Sequence, residues 1–351
     1  MTQHREKDYD LQLWHLACVI LISLCGIVGN TLVLIVYARS KNVSKSSPFN
    51  VYLCVLGCVD LVISLFIVPD YVLRTNIYKM PDNLTGSLVC KFLTGGIAFW
   101  MLGVSLYLLV AICLERRRVI LTPFSTLEKT VVWKTLLVVF SVFVLGALGQ
   151  VPTWYGIYYN EKNATAGNFC SYRGSKELSL GFHITSFIVE YTVPLLVILV
   201  SFIQIKQRLI KMEEDMKQAL GIDAATFKTK WKQLTDRSKT TIKTMTVVVV
   251  AFFVCITPNQ IAYLLFQFVP ELPMNSFPFQ VTVLLRFSNS CLNPLLYSYR
   301  SQHFRKNFVE VFGCSCDFVG NATARWARMK RWWHSGRNTN PLLVNLLDEC
   351  D

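Results

Sequence analysis

Charge is scarce in this sequence. Asp, Glu, Lys and Arg together make up 16% of its 351 residues, against roughly 25% in an ordinary soluble domain. That shortage argues against a soluble enzyme. A 53% hydrophobic share and a mean hydropathy of +0.40 exclude a disordered chain. The signatures of chemistry are missing too. There is no Gly-rich phosphate loop, no His-Glu-x-x-His and no cysteine pair at zinc spacing. Cys314 and Cys316 are too close together and too isolated to be half of a zinc site. No nucleophile stands beside a base, so an enzyme reading has no residues to rest on. Twelve cysteines at irregular spacing are no disulfide scaffold in a chain of this length. No repeat or low-complexity block stands out. No cleavable signal peptide is expected: a polar head with Glu6, Asp8 and Asp10 precedes an apolar run too long for a signal core.

What abounds is apolar length. A bilayer core about 30 Å thick needs roughly 20 apolar residues in a helix. Seven runs qualify: 13–37, 50–68, 92–114, 135–159, 178–205, 244–269 and 272–299. Their only ionised residues are Asp60, Glu190 and Arg286. Barrel strands would be shorter and would alternate in polarity, and a helix satisfies its own backbone in lipid. The fold expected is an all-α membrane protein, a seven-transmembrane helix bundle. The mixed-charge segment 206–243 should extend the fifth and sixth helices beyond the membrane.

Basic residues orient the chain. With residues 1–12 placed outside, 26 of the 35 Lys and Arg fall in the segments facing the cytosol. The net charge of +13 therefore reads as loop charge on a membrane protein, and nucleic acid is poorly motivated. Residues 13–313 form the bundle, and 314–351 a cytoplasmic tail. The sequons at Asn83 and Asn163 lie outside, open to glycosylation, while those at Asn42 and Asn321 lie inside and should stay bare.

Intramembrane polar residues are the functional candidates. Asp60 reads as a cation or proton site, or as a carboxyl held neutral by burial. In the seventh span, Asn289-Ser290-Cys291-Leu292-Asn293-Pro294-Leu295-Leu296-Tyr297 places a proline among polar groups able to satisfy the carbonyl it frees. That is either a pivot or a proline tolerated in a membrane helix.

These residues resemble the rhodopsin-like (class A) G-protein-coupled receptors. The resemblance spans 13–312 with a motif in nearly every helix: Gly29-Asn30; Leu56 and Asp60; Cys90, Ser105 and Glu115-Arg116-Arg117; Trp133; Pro194; Phe252, Cys255 and Pro258; and Asn293 to Tyr297. It implies a Cys90–Cys170 disulfide between the third helix and the second outer loop. It implies that Arg116 is restrained by Glu115 at rest and then meets a heterotrimeric G protein. It implies a buried sodium site of Asp60, Ser105, Asn289 and Asn293, the ion acting as a negative modulator, with no other cofactor. Pro258 and Pro294 become kinks about which helices move. The chain departs from the family pattern at several points. Ile256 stands where a tryptophan is common, which moves any aromatic switch to Phe252. Phe202 and Arg117 replace tyrosines, and the first outer loop lacks its tryptophan. Cys90 lies one residue further from Arg116 than usual, so a bulge is expected at the top of the third helix.

Ala98, where amine receptors keep an acid, disfavours amines; Phe287, where opsins keep a lysine, disfavours retinal. The outer half holds Asp70, Arg74, His183, Glu190, Asn259, Gln260 and Arg286 as ligand-binding candidates. Glu190 and Arg286 either grip the charged ends of a peptide or pair internally, as Asp70 and Arg286 also could. Similarity to peptide-type receptors, through Asn289–Tyr297 and Phe304-Arg305-Lys306, favours a short neuropeptide-like ligand. The rivals are a lipid or other non-amine small molecule, a transporter using Asp60, Glu190 and Arg286, and a receptor-shaped protein that does not signal.

Phe304, Phe308 and Phe312 recur every four residues with Arg305 and Lys306 between, which predicts a short amphipathic eighth helix over 301–313 on the membrane surface. Cys314 and Cys316 follow as palmitoylation candidates. The basic and aromatic run 325–333 suits anionic membrane lipids or a calmodulin-like partner, and the plainer reading is a solvated tail drawn weakly to the leaflet. Sparse Ser and Thr in the tail argue against arrestin recruitment through dense phosphorylation.

Overall fold

In hydrocarbon a helix leaves none of its interior backbone unpaired, and the computed structural model is built almost wholly of helices. It describes residues 2–40, 47–74, 83–122, 132–160, 170–172, 175–218, 225–269, 276–300 and 302–312. Helix α1 is Thr2–Arg39 and α2 is Pro48–Arg74. A short α3, Asn83–Leu88, leads through a π-helical turn, Val89–Leu93, into α4, Gly96–Leu121. Helix α5 is Val132–Gly156. Strands β1 (Ile157–Tyr159) and β2 (Cys170–Tyr172) pair antiparallel, Tyr159 opposite Cys170. Helix α6 (Lys176–Ser186), a second π-helical turn (Phe187–Thr192) and α7 (Val193–Gln218) follow one another directly. Then come α8 (Ala225–Phe268), α9 (Phe277–Arg300) and α10 (Gln302–Phe312).

Among the described residues, six helical stretches are long and apolar enough to cross a membrane. Helix α9 completes the seven. It is the more polar one, because it carries Gln280, Arg286, Asn289, Ser290 and Asn293. Helices α7 and α8 run on past their apolar parts, as segment 206–243 predicts. The fourth span ends earlier than expected, since residues 157–159 leave the helix to pair with β2.

Helix α1 packs on α2 and α9, α2 on α4, α4 on α5 and α7, and α8 on α9. Leu56, Ile63, Val104, Leu108, Phe252 and Phe287 interlock at the centre. The outside is apolar as well: Leu21, Phe140, Leu148, Val254 and Leu295 are exposed. Such a surface is stable only where lipid is the solvent. Helix α10 turns Phe304, Phe308 and Phe312 onto Val33 and Val36 of α1. Its Arg305 Nη1 donates to the Tyr299 carbonyl at 2.6 Å, covering the end of α9.

Candidate functional site

Three polar clusters lie along the bundle axis. In the middle, Asp60 is fully buried on α2. Asn293 Nδ2 on α9 donates to its Oδ2 at 2.7 Å, and Ser105 Oγ on α4 donates to its Oδ1 at 3.5 Å. Asn289, the fourth expected sodium ligand, is buried with its Nδ2 unpartnered. One turn along, Asn30 Nδ2 donates to Gly26 O at 2.9 Å and to Ser290 O at 2.8 Å. Ser290 O is the carbonyl four residues before Pro294, freed because proline has no N–H. The donor that satisfies this carbonyl thus comes from α1.

The outer cluster centres on Arg286 of α9. Its Nη1 donates to Asn259 Oδ1 on α8 at 2.9 Å, and its guanidinium carbon lies 4.7 Å from the centre of the Phe99 ring on α4. Asn259 is itself held, donating to Thr282 Oγ1 at 3.1 Å. Arg286 Nε is buried without a partner. Arg286 and Glu190 act on each other across a distance, with no direct hydrogen bond between them among the described residues. Instead Glu190 accepts from Ser186 Oγ at 2.6 Å and lies against Gly149 of α5, where any Cβ would collide with its carboxylate. Glu190 therefore occupies the seam between α5 and the π-helical turn before α7. The stretched turn is consistent with Pro194, which cannot donate to the Glu190 carbonyl. His183 stacks on Tyr263 at 6.2 Å. Asp70 and Ala98 are buried and Gln260 half-buried. Phe99 and Thr282 are the residues that sequence reasoning missed. Phe99 adjoins the singled-out Ala98, but no spacing links it to residue 286.

At the inner end, Arg116 of α4 departs from expectation. Glu115 makes no ion pair with it among the described residues. The Arg116 guanidinium carbon instead sits 3.3 Å from the centre of the Phe49 ring at the start of α2, and its Nε is buried without a partner. Adjacent carboxylate and guanidinium groups point off a helix about 100° apart, which disfavours a bidentate pair. Arg117 Nε donates to Gln204 Oε1 on α7. Between the clusters, Phe252 is buried edge-on to Phe253, with ring centres 5.6 Å apart. Ile256, at the position of the common tryptophan, is buried beside it. Tyr191 and Thr257 hydroxyls meet at 2.6 Å, joining the α7 side to α8 one residue before Pro258. Tyr297 lies 6.4 Å from Phe304. Trp133 is 58% exposed in the first turn of α5 rather than inside the bundle.

A disulfide joins Cys90 to Cys170, with Cα atoms 5.5 Å apart, and pins the hairpin over the top of α4. The bulge expected there is the turn Val89–Leu93 together with Thr94 and Gly95. Gly95 takes φ 96°, a backbone that other residues adopt only with strain. Asn83 is the first residue of α3. Asn163, Cys314 and Cys316 lie outside the described residues.

Comparison with known proteins agrees with this architecture. The pattern of the "7 transmembrane receptor (rhodopsin family)" matches residues 29–297. The galanin receptor type 1 of Mus musculus is 29% identical over 304 residues, covering 85% of this chain and 81% of its own. The bombesin receptor subtype-3 of Ovis aries is 27% identical over 312 residues, covering 86% and 75%. The crystal structure of squid rhodopsin superposes with a TM-score of 0.71 at 20% identity, over 86% of each chain.

Proposed function

The chain belongs to the rhodopsin family of seven-transmembrane receptors, and from that premise we propose that it binds a short extracellular peptide and activates a heterotrimeric G protein. One observation carries the ligand class. Among the described residues Arg286 is held by an amide and an aromatic face, with no carboxylate hydrogen-bonded to it, Glu190 acting only across a distance, and its Nε unpaired. A cation at that depth is costly without an anion. The carboxylate or carbonyl of a peptide would complete it. Relatives that carry the names galanin receptor and bombesin receptor support the same class. The transporter reading is not favoured by this family.

In this reading the N-terminus is extracellular and the protein sits in the plasma membrane. The basic inner segments and a disulfide at the other end support that orientation. The ligand is bounded by Asp70, Ala98, His183, Glu190, Asn259, Gln260 and Arg286. Binding shifts a two-state bundle through Phe252, Pro258, Asn293, Pro294 and Tyr297 until the inner end opens and Arg116 meets the G protein. Asp60, Ser105, Asn289 and Asn293 would hold a sodium ion that favours the resting form. The donor set suits a hard cation: a buried carboxylate, a hydroxyl and two amide oxygens. Asn83 and Asn163 carry glycans, Cys314 and Cys316 palmitoyl chains, and the tail rests on anionic lipid.

The test is G-protein dissociation in cells, using a panel of short peptides followed by lipids and amines. Wild type runs beside Arg116→Ala, Arg286→Gln and Glu190→Gln at matched surface display. A peptide response is expected that Arg116→Ala abolishes and that Arg286→Gln shifts about tenfold in potency, the scale of one charge-assisted hydrogen bond. A response that survives Arg116→Ala, or one raised by lipids alone, would overturn the reading.

A further inference from the structure

The inner end of α4 is tethered on two sides, and neither tether reaches α8. Arg116 lies flat on Phe49 of α2, 3.3 Å from the ring centre, and Arg117 is hydrogen-bonded to Gln204 of α7. Phe49 is well placed to hold a cation. Pro48 starts α2 with its backbone pre-set for a helix, and Val51 N closes the first turn on Ser47 O at 3.0 Å. The Phe49 ring packs on the central apolar core, which limits its swing. Among the described residues neither a carboxylate nor a carbonyl is hydrogen-bonded to the guanidinium, and Glu115 acts on it only through space. Glu115 makes no ion pair with Arg116 among the described residues, and the buried Nε has no acceptor.

We propose that Phe49 is a positioning residue for Arg116: its π face, in place of a carboxylate, parks the guanidinium against α2 in the resting receptor. An aromatic face attracts a guanidinium through its quadrupole, and the attraction strengthens when water is excluded. It offers no hydrogen bonds, so an incoming backbone carbonyl or carboxylate can take the cation without displacing an acceptor. Release is therefore driven by the partner that arrives at the inner face. The latch rests on the receptor reading above for its purpose, though not for its geometry.

The experiment uses the full chain in lipid nanodiscs without ligand. Spin labels enter by bio-orthogonal side chains at Lys134 of α5 and Lys243 of α8, both exposed. Pulsed dipolar distances then report closed and open inner ends. Phe49→Leu, apolar without a π face, is expected to raise the open-to-closed ratio about tenfold. Phe49→Trp, which keeps a π face, should retain the closed distribution. In an Arg116→Gln background Phe49→Leu should add nothing, because its effect runs through the cation. Should Phe49→Leu fail to assemble, Phe49→Met makes the same comparison. An unchanged ratio overturns the proposal. So does an equal change in the Arg116→Gln background, which would make Phe49 a packing residue only. Nucleotide exchange on purified G protein, read on the same samples, separates the two ideas. Distances that respond while no variant drives exchange keep the latch and remove the G-protein reading. Unresponsive distances beside Arg116-dependent exchange remove the latch alone.

Discussion

Asp60 is the residue on which the middle of the bundle turns. It is wholly buried, and it draws Asn293 of α9 and Ser105 of α4 toward α2. Two hydrogen bonds do not offset the desolvation of an ionised carboxylate in such a place, where the penalty is several kcal/mol per ion. A small hard cation would supply the deficit, and the amide oxygen of buried Asn289 would be a further ligand. Replacing choline by sodium should then raise the melting temperature of the purified wild type. Sodium at ten times its dissociation constant is worth about 1.4 kcal/mol. Asp60→Asn should lose that increment. Equal shifts in both proteins, followed by thermal denaturation in detergent, would mean that the ion acts elsewhere. At this scale the sequence was readable where chemistry and surroundings clash. A carboxylate in an apolar run is conspicuous, and so are Arg286 and Glu190. It was silent where the chemistry is ordinary. Phe49 and Phe99 are aromatics among aromatics, and only the fold brings them under Arg116 and Arg286.

At the scale of elements, Pro294 is not accommodated by α9 alone. Pro294 frees the Ser290 carbonyl, and Asn30 of α1 donates to it at 2.8 Å. Gly29, the neighbouring residue, gives the room for this approach, since a Cβ there would stand 3.0 Å from the Pro294 ring. Asn30→Val should therefore strand a buried acceptor and cost about 1–3 kcal/mol. Adding Pro294→Ala returns an N–H to the Ser290 carbonyl, so the double variant should be more stable than Asn30→Val by itself. Thermal unfolding of the four proteins checks this, and purely additive losses would show that Asn30 matters for some other reason. Sequence reading foresaw a polar rescue for this carbonyl but not which helix would send it. It likewise expected a bulge before α4 from one residue of misfit, and found the spans by their length. It did not foresee the hairpin after α5. Residues 157–159 continue an apolar run that reads as helix, and they become a strand because Cys170, bonded to Cys90, lays β2 beside them. A crosslink between distant positions overrides local preference there.

At the scale of the whole molecule, the two ends of the bundle are chemically unlike. One end carries the disulfide and the hairpin that covers α4. The other carries Arg116, Arg117 and Arg118, the extended ends of α7 and α8, and α10. Seven spans fix which loops share a side, so the orientation of one loop decides all of them. Glycan acceptance reads that orientation directly, because the transferase works on the luminal side only. On the sequence reading Asn83 and Asn163 fall in outer segments, whereas Asn42 and Asn321 fall in inner ones. Expressed in cells, the protein should shift in mobility on deglycosylation. Asn83→Gln and Asn163→Gln should each remove part of that shift, and together all of it. Asn42→Gln and Asn321→Gln should change nothing. The reverse pattern would turn the bundle over, put the Cys90–Cys170 pair in a reducing compartment and leave Arg116 facing the outside. No inner partner could then reach Arg116, so this one gel tests the premise of every coupling step argued above.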